Sequence, residues 1–560
     1  MRKSIEHLKK NTSIYVPIFI TLACVLFLPI FYYEVDDRFL QDIVMSASYN
    51  EHSDFLFLIA GPWGFALRFL TLLIPAINWL AVLYCTAITL SFISFYAFVK
   101  KMVREEIPGI YYFLFGLLQF LVMFHFTFTV VAFVSYAGSV AFSLRHARTK
   151  KDYLYLIPTF LLFVLSWMLR PHMGIVYVII AFFLAMSVYL LYKKRVGIFH
   201  VLLILLLIFG ATKCVIKIQL LHAESVQMIE TRKFHNARAN IIDTAWFTYE
   251  EAEEVLFEKG ISENDLQMVW QFMIGDKSVF DQKKLQDMGL GQTIENKYNF
   301  DILGIAKEMA SNLYFEVFTI LFVVLLLQSP KRWFWFLVFY GGGGASVAYL
   351  YLFNRPEPRV IFPSLIVAAV FMILCLAENH EAWIKDKLCK TQKHKKYVKT
   401  GGILLFVALV GILSLVQYRK LYIEYHALES RHEIFDYAKE NPDKYITATS
   451  WTRNWLYSKR VHMLTRNVED HVIHNPYGDW YLYFPYYYAR MEKLGLGEYS
   501  EKAMLLPIEH PDCYFLVLDS IEIPLLTTYY KEHYDIDVEA EEIESFNEDR
   551  FKLYKLHIIE

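Results

Sequence analysis

The sequence predicts an α-helical polytopic membrane protein. The expected architecture is about eleven transmembrane helices, an extracytoplasmic helical loop region and a small C-terminal α/β domain. Three observations predict this. The 560 residues are 56% hydrophobic and 17% aromatic, with a mean hydropathy of +0.32, whereas soluble domains are roughly 45–50% apolar. Apolar runs recur at the length a bilayer demands, which is about 20 residues for a hydrocarbon core about 30 Å thick. Lys and Arg collect in the short loops between alternate runs, as they do on the cytoplasmic side of a membrane.

The first run, Ile14–Tyr33, follows Arg2, Lys3, Lys9 and Lys10. It is too long for a signal-peptide core and no small-residue cleavage site follows, so it reads as a retained helix with a cytoplasmic N-terminus. Phe55–Ile74 is broken by Gly61, Pro62 and Gly64 and carries Arg68. If it crossed the membrane, Lys100 and Lys101 after Ile77–Val99 would fall outside. It is therefore expected to lie in the outer interface or re-enter, within a first outer loop over 34–76. Phe39, Leu40, Ile43, Val44 and Ala47 share one helical face there, which predicts a short helix lying on the membrane surface.

The later runs then alternate. Ile110–Phe124, Tyr153–Met168, Gly197–Val215, Trp333–Phe353 and Gly401–Val416 go out. Val130–Leu144, Gly174–Tyr192, Leu313–Leu327 and Val360–Ala377 return, each toward a basic loop. This gives a transmembrane domain over 1–416 with an outer helical region at 217–312. Thr248 and Ser262, the latter with Asp265 three residues on, mark helix starts in that region. In the outer C-terminal domain, 417–560, His426–Lys439 reads as a helix. Lys444–Trp451, Cys513–Asp519 and Phe551–Ile558 read as strands.

Lys+Arg (55) and Asp+Glu (57) nearly cancel, so nothing in the charge points to nucleic acid as a partner. Of six cysteines, Cys24, Cys85, Cys214 and Cys375 lie in or beside apolar runs and no CxxC occurs. A disulfide framework or zinc site is not expected.

The candidate chemistry gathers at the outer surface. Asp36 and Asp37 follow the first span directly. A carboxylate there could take a proton from an acceptor, or hold a divalent metal such as Mg²⁺ or Mn²⁺ near a phosphate. Equally, Asp36 could be the N-cap of the following helix with Asp37 in its first turn. Arg355, Glu357 and Arg359 lie in FNRPEPRV. Two outer arginines run against the positive-inside trend and could grip a phosphate, or they could snorkel to headgroups. Arg170 and His172 stand at the same level, as an anion site or as helix caps. Lys213 and Lys217 read as surface anchors, and His125 as a packed or capping histidine. Gly341–Gly344 lacks a following GKS or GKT and reads as a close-packing site or a helix break. Trp451, Trp455, Trp480 and Tyr486–Tyr488 could stack on sugars, and as a group read rather as core.

With an outer acidic pair after the first helix, short-looped spans and a C-terminal outer domain, the chain resembles the GT-C superfamily of polytopic glycosyltransferases. VDDRFLQDIVMSASY, AGPWGF and IPAINW are similar to an uncharacterised bacterial group of multi-pass GT-C-like proteins. Its pattern is an acidic pair, a short amphipathic helix and an asparagine-tryptophan opening the second span, matched here by Asn78 and Trp79. The likeness covers about residues 10–380. It implies transfer of a sugar from a polyprenyl-phosphate donor to a cell-envelope glycan or lipid acceptor. The acidic role falls on Asp36 and Asp37 and the phosphate-binding role on Arg355 or Arg359. Phe126–Ser139 lacks the tryptophan-rich turn of the closest relatives. A transporter or flippase would carry ionisable residues near mid-membrane, and often repeats; few such charges and no repeat occur. A non-catalytic envelope assembly factor is the third class.

Overall fold

A computed structural model describes residues 11–28, 30–44, 61–103, 107–148, 156–170, 226–242, 247–292, 298–378, 432–457, 459–464, 472–518 and 521–559, with isolated positions among 56–59, 210–217 and 408–423. The chain is mostly helical, with one small mixed sheet near its C-terminus.

The apolar helices are α1 (Thr12–Phe27), α3 (Gly61–Leu73), α4 (Trp79–Val103), α5 (Gly109–Phe124), α6 (Phe128–Arg148) and α7 (Leu156–Leu169). A second set follows the middle region: α13 (Leu313–Gln328), α14 (Trp333–Leu352) and α15 (Pro358–Glu378). Between α1 and α3 lies the short α2 (Val35–Val44). α15 is the inner helix of the bundle. It packs against α4, α5, α6, α13 and α14, and its apolar length is buried throughout. The glycines of α14 do not break it. A Cβ on Gly343 would stand 3.0 Å from Phe318 and 3.1 Å from Ala368, so the missing side chain lets three helices approach. This close packing is one of the two roles the glycine run allowed.

The described residues show fewer spans than the eleven expected. Among the described residues, three helices are long and apolar enough to cross a membrane: Trp79–Val103, Pro330–Leu352 and Pro358–Ala377. A fourth counts if the bent pair Ile302–Ser311 and Leu313–Gln328 is one span. Thr12–Phe27, Trp63–Leu73, Gly109–Phe124, Phe128–Ser143 and Ile157–Leu169 are apolar but shorter. The first span shows why. Leu28, the residue before Pro29, takes φ −120°, ψ 141°, the extended conformation that a following proline imposes. The helix stops at Phe27. Phe31 and Tyr32 then form bridges with Arg460 and Phe126 instead of continuing it. The expected spans Gly174–Tyr192, Gly197–Val215 and Gly401–Val416 lie largely or wholly outside the described residues.

The middle region forms α8 (Val226–Ile242), α9 (Tyr249–Glu258), α10 (Glu263–Trp270), α11 (Gln282–Met288) and α12 (Ile302–Ser311). Thr248 with Glu251 and Ser262 with Asp265 form full capping boxes, which satisfy orphan donors at both helix starts. The C-terminal region supplies α16 (His432–Glu440), α17 (Ser450–Leu456), α18 (Pro485–Lys493) and α19 (Glu522–Tyr534). Its sheet has strands β1 (Tyr445–Ala448), β2 (Cys513–Val517), β3 (Val538–Phe546) and β4 (Phe551–Ile558) in the order β1-β2-β4-β3. β1 and β2 are parallel and the other pairs antiparallel. The two regions share one core, in which Phe234, Phe247 and Leu266 pack with Tyr477, Phe515 and Tyr529. Asp276 locks them together: it accepts from Tyr529 Oη at 2.6 Å, from Tyr534 Oη, and from the Ser278 amide and hydroxyl.

α2 is not a helix on a membrane surface. Phe39, Leu40, Ile43 and Val44, expected toward lipid, are buried inside the protein, and so are Asp37, Arg38, Gln41 and Asp42; Ala47 of that expected face lies outside the described residues. Protein covers both faces: the helical bundle on one side, the 454–462 segment on the other. Arg38 donates to the Tyr457 carbonyl at 3.1 Å and to Asn454 Oδ1 at 3.2 Å. Asn78 Nδ2 donates to Gln41 Oε1 at 2.5 Å and to the His462 carbonyl at 2.8 Å.

Candidate functional site

The acidic pair opens α2, and its two members part company. Asp37 faces inward and is fully buried. One carboxylate oxygen, Oδ1, accepts from Tyr84 Oη at 2.8 Å and from the Phe128 amide at 2.7 Å. Phe128 is the first residue of α6, so this amide is one that the helix itself cannot pair, and it sits where the helix dipole favours a negative charge. The other oxygen, Oδ2, is buried with no hydrogen-bond partner. Burial pushes the Asp37 carboxyl well above the usual carboxylate range, against the opposing pull of Tyr84 and Phe128.

Asp36 stays at the rim. Its Oδ2 lies 3.0 Å from Arg359 Nη1. Glu34 Oε2 lies 3.7 Å from the same nitrogen, and Glu357 Oε2 lies 3.9 Å from Arg359 Nε. One guanidinium therefore stands among three carboxylates. Burial raises the Glu34 carboxyl, while Arg359 lowers it.

Three of the residues singled out in the sequence converge here. Asp36 and Glu357 both meet Arg359, although 323 positions separate Asp36 from Arg359. Arg355 is half-buried on the turn before Glu357, its amide donating to the Leu350 carbonyl at 2.9 Å. The Arg170 guanidinium lies 5.0 Å from the centre of the Phe128 ring, whose residue supplies an amide to Asp37. His172 and Lys213 lie outside the described residues.

Beside this cluster His125 is packed, as its setting in the sequence indicates. Its ring stacks on Phe362 at 3.8 Å and on Tyr33 at 5.1 Å. Nδ1 lies 3.0 Å from the Leu121 carbonyl and Nε2 lies 3.0 Å from Tyr314 Oη. A carbonyl only accepts, so Nδ1 carries the proton and Nε2 accepts from Tyr314. Burial pushes the His125 pKa down to about 4, and the ring is neutral at pH 7.

The residues that sequence reasoning missed are Glu34, Tyr84 and Tyr314. Glu34 had a signal, standing two residues from Asp36. Tyr84 and Tyr314 had none, because nothing local distinguishes them from the other tyrosines of apolar helices. Asn78, which the resemblance alone singles out, has a structural part here. Its Oδ1 accepts the Ala81 amide at 3.2 Å, which caps α4, while its Nδ2 holds α2.

Mg²⁺ or Mn²⁺ finds no prepared cradle among the described residues. Among the described residues no three His, Cys, Asp or Glu side chains are grouped to hold an ion. Asp36 and Asp37 face different surroundings, and Asp36 is already paired with Arg359. What the cluster offers by itself is a cation that could exchange a carboxylate for a phosphate, and a carboxylate released when it does. The chain matches no known protein family, no curated protein and no solved structure.

Proposed function

We propose that this chain is a membrane-embedded glycosyltransferase of GT-C type that uses a polyprenyl-phosphate-linked sugar as donor and a cell-envelope glycan or lipid as acceptor. On this proposal the bundle carries the shorter apolar helices as further spans. The N-terminus is cytoplasmic and the α8–α11 and C-terminal regions are outside. One observation carries it: the rim carboxylate Asp36 and the cation Arg359 form an ion pair beside a second, buried carboxylate, at the ends of apolar helices. Three helices of spanning length support the membrane setting.

In the proposed step, the donor phosphate takes Arg359 from Asp36. The acceptor hydroxyl then attacks the anomeric carbon, its proton passing to Asp36. The carbon–oxygen bond to phosphate breaks, and polyprenyl phosphate leaves with the bonding pair, its charge held by Arg359. Configuration at the anomeric carbon inverts. Asp37 is enclosed, so it does not touch substrate; it is a positioning residue that ties the start of α2 to α4 and α6.

The test compares purified wild type, Asp36→Asn, Asp37→Asn and Arg359→Gln. Each is incubated with a panel of radiolabelled polyprenyl-phosphate sugars, with and without EDTA, and followed for binding, sugar release and transfer. Wild type turns over at least one donor. D36N keeps binding and loses turnover, and R359Q loses binding. Full turnover in both variants would assign the ion pair a purely structural role. Failure of wild type to bind any lipid-linked sugar would sink the proposal in favour of a transporter or assembly factor.

A further inference from the structure

α12 meets α13 at a bend of 78°. The bend is built by one residue. Asn312 ends α12, and its side-chain oxygen accepts the Tyr314 amide at 3.1 Å and the Phe315 amide at 3.3 Å to start α13. With α13 directed across a bilayer, α12 lies nearly in the plane of the membrane. Its other end is also fixed: Asp301 caps it through the Gly304 amide at 2.9 Å, and the Asn299 amide donates to the Leu352 carbonyl at 2.8 Å.

At about 100° per residue, α12 has three distinct sides. Ile305 and Met309 turn onto the core of the bundle. Lys307, Glu308 and Ser311 belong to a polar side. Ile302, Leu303, Ala306 and Ala310 share an arc of about 100° that is open. Ile302 is 79% exposed, Leu303 83%, and Phe300 just before the helix 66%. Three large apolar side chains so bare, side by side, need a cover. The face of α13 that follows answers what covers them. Leu313, Val323 and Leu327 are exposed along one side of that apolar helix, with exposed Glu316 in its first turn, and beyond Glu316 this side faces lipid in a membrane. The open arc of α12 is continuous with it through Leu313. Asp301, Lys307 and Glu308 within one short helix oppose deep immersion.

We propose that α12 is an interfacial helix, seated in the headgroup–acyl boundary of the bilayer with Phe300, Ile302, Leu303, Ala306 and Ala310 toward the acyl chains. Its seat fixes the depth of the turn at 353–357, because Asn299 and Asn312 brace it on the end of α14; Asn312 Nδ2 lies 3.4 Å from Tyr351 Oη. That turn delivers Glu357 and Arg359 to Asp36. The proposal rests on the chain being embedded in a membrane and not on any transfer reaction. A chain that turns over no sugar would leave it standing.

The experiment uses the full chain, with its native cysteines replaced, in nanodiscs of phosphatidylcholine and phosphatidylglycerol. Single cysteines at 302, 303, 306, 307, 308, 310 and 311 carry a nitroxide, and collisions with oxygen and with a water-soluble nickel chelate are measured. At 302, 303, 306 and 310 oxygen collisions dominate, with depths roughly 5–10 Å below the phosphates; at 307, 308 and 311 nickel dominates. Equal nickel access at 303 and 308 would overturn the proposal by placing the helix in water. Loss of both quenchers at 302 and 303 would overturn it in favour of a protein partner or a second copy. Lipid depth at 307 and 308 would overturn it in favour of a broken span. A label at Asn354 then reads the anchoring. It moves outward when Ile302→Glu and Leu303→Glu are combined, and an unchanged depth there refutes the anchoring role.

Discussion

Replacing Asp37 with alanine removes the acceptor of two buried donors at once, the Tyr84 hydroxyl and the first amide of α6. Each stranded donor costs about 1–3 kcal/mol, so Asp37→Ala loses about 2–6 kcal/mol. Asp37→Asn behaves differently. Its Oδ1 keeps both hydrogen bonds, and its amide nitrogen occupies the place of Oδ2, which has no partner to lose. The charge, and the cost of burying it, disappear. The pH dependence separates the two effects. Burial raises the folded pKa of Asp37 above its ordinary 3.8, so the folded state holds the proton more tightly than the unfolded chain. This contribution is complete below about pH 3.8 and is lost as the pH rises through the folded pKa. Asparagine does not titrate, so D37N gains on wild type as the pH rises above 4. The assay is the thermal unfolding midpoint of purified protein between pH 4 and pH 8, followed by size-exclusion chromatography after heating. If D37A and D37N fall equally, or if D37N loses ground to wild type with rising pH, the buried-carboxyl argument is wrong.

Asp276 gives the opposite outcome for the same substitution. Both its oxygens accept, from Tyr529 and Tyr534 on one side and Ser278 on the other. Asp276→Asn therefore turns a donor against donors and costs about 1–3 kcal/mol; calorimetry showing no loss would refute this. Histidines 125 and 462, both pushed down to about 4 by burial, contribute stability that is full above pH 6.5 and lost as the pH falls through 4. His125→Phe with His462→Phe flattens that acid slope, even though the loss of the Tyr314 and Leu121 hydrogen bonds lowers stability at pH 7. An unchanged slope in thermal scans would refute it. Gly343→Leu forces a side chain between Phe318 and Ala368 and costs about 1–3 kcal/mol or more. Gly341→Ala, with nothing near its Cβ, changes the unfolding midpoint little. Equal effects in the two variants would show that the glycine run is not a packing contact.

Helix placement was largely legible in the sequence, because a long apolar run bounded by charge has few alternatives. α4, α13, α14 and α15 begin and end within a few residues of the expected runs. Length was not legible where a local event cut the run, as Pro29 does. β4 was legible in full, β1 and β2 in part, and β3 not at all. Its sequence, VEAEEIESF, presents so many glutamates that it reads as a solvated loop. It is an edge strand, paired on one side only, and edge strands carry charge. The burial of α2 was hidden for a different reason. Its polar residues look solvated by any local rule, and become interior only through Tyr84, Asn454 and Tyr457, partners up to 419 positions away.

The acidic pair shows where the limit of such reasoning lies. Two adjacent residues on a helix point about 100° apart, so Asp36-Asp37 cannot offer both carboxylates to one point once α2 forms. The sequence leaves the choice open between a reactive pair and a helix start. The fold divides it. Asp37 takes the capping role, not for its own helix but for the first amide of α6 and for Tyr84. Asp36 is left at the rim with Arg359. The same division explains why the two arginines of FNRPEPRV are not equivalent. Arg359 opens α15 and is carried to the rim by the innermost helix of the bundle, while Arg355 stays on the turn. Substitutions at Asp37 and Arg355 therefore act on the position of the cluster, and those at Asp36 and Arg359 act on its charge. Only the second pair should exchange roles under charge reversal. Asp36→Arg with Arg359→Asp recovers part, not all, of the unfolding midpoint that either single change lowers, because Glu34 and Glu357 then face a carboxylate at position 359. Asp37→Arg has no partner that could rescue it.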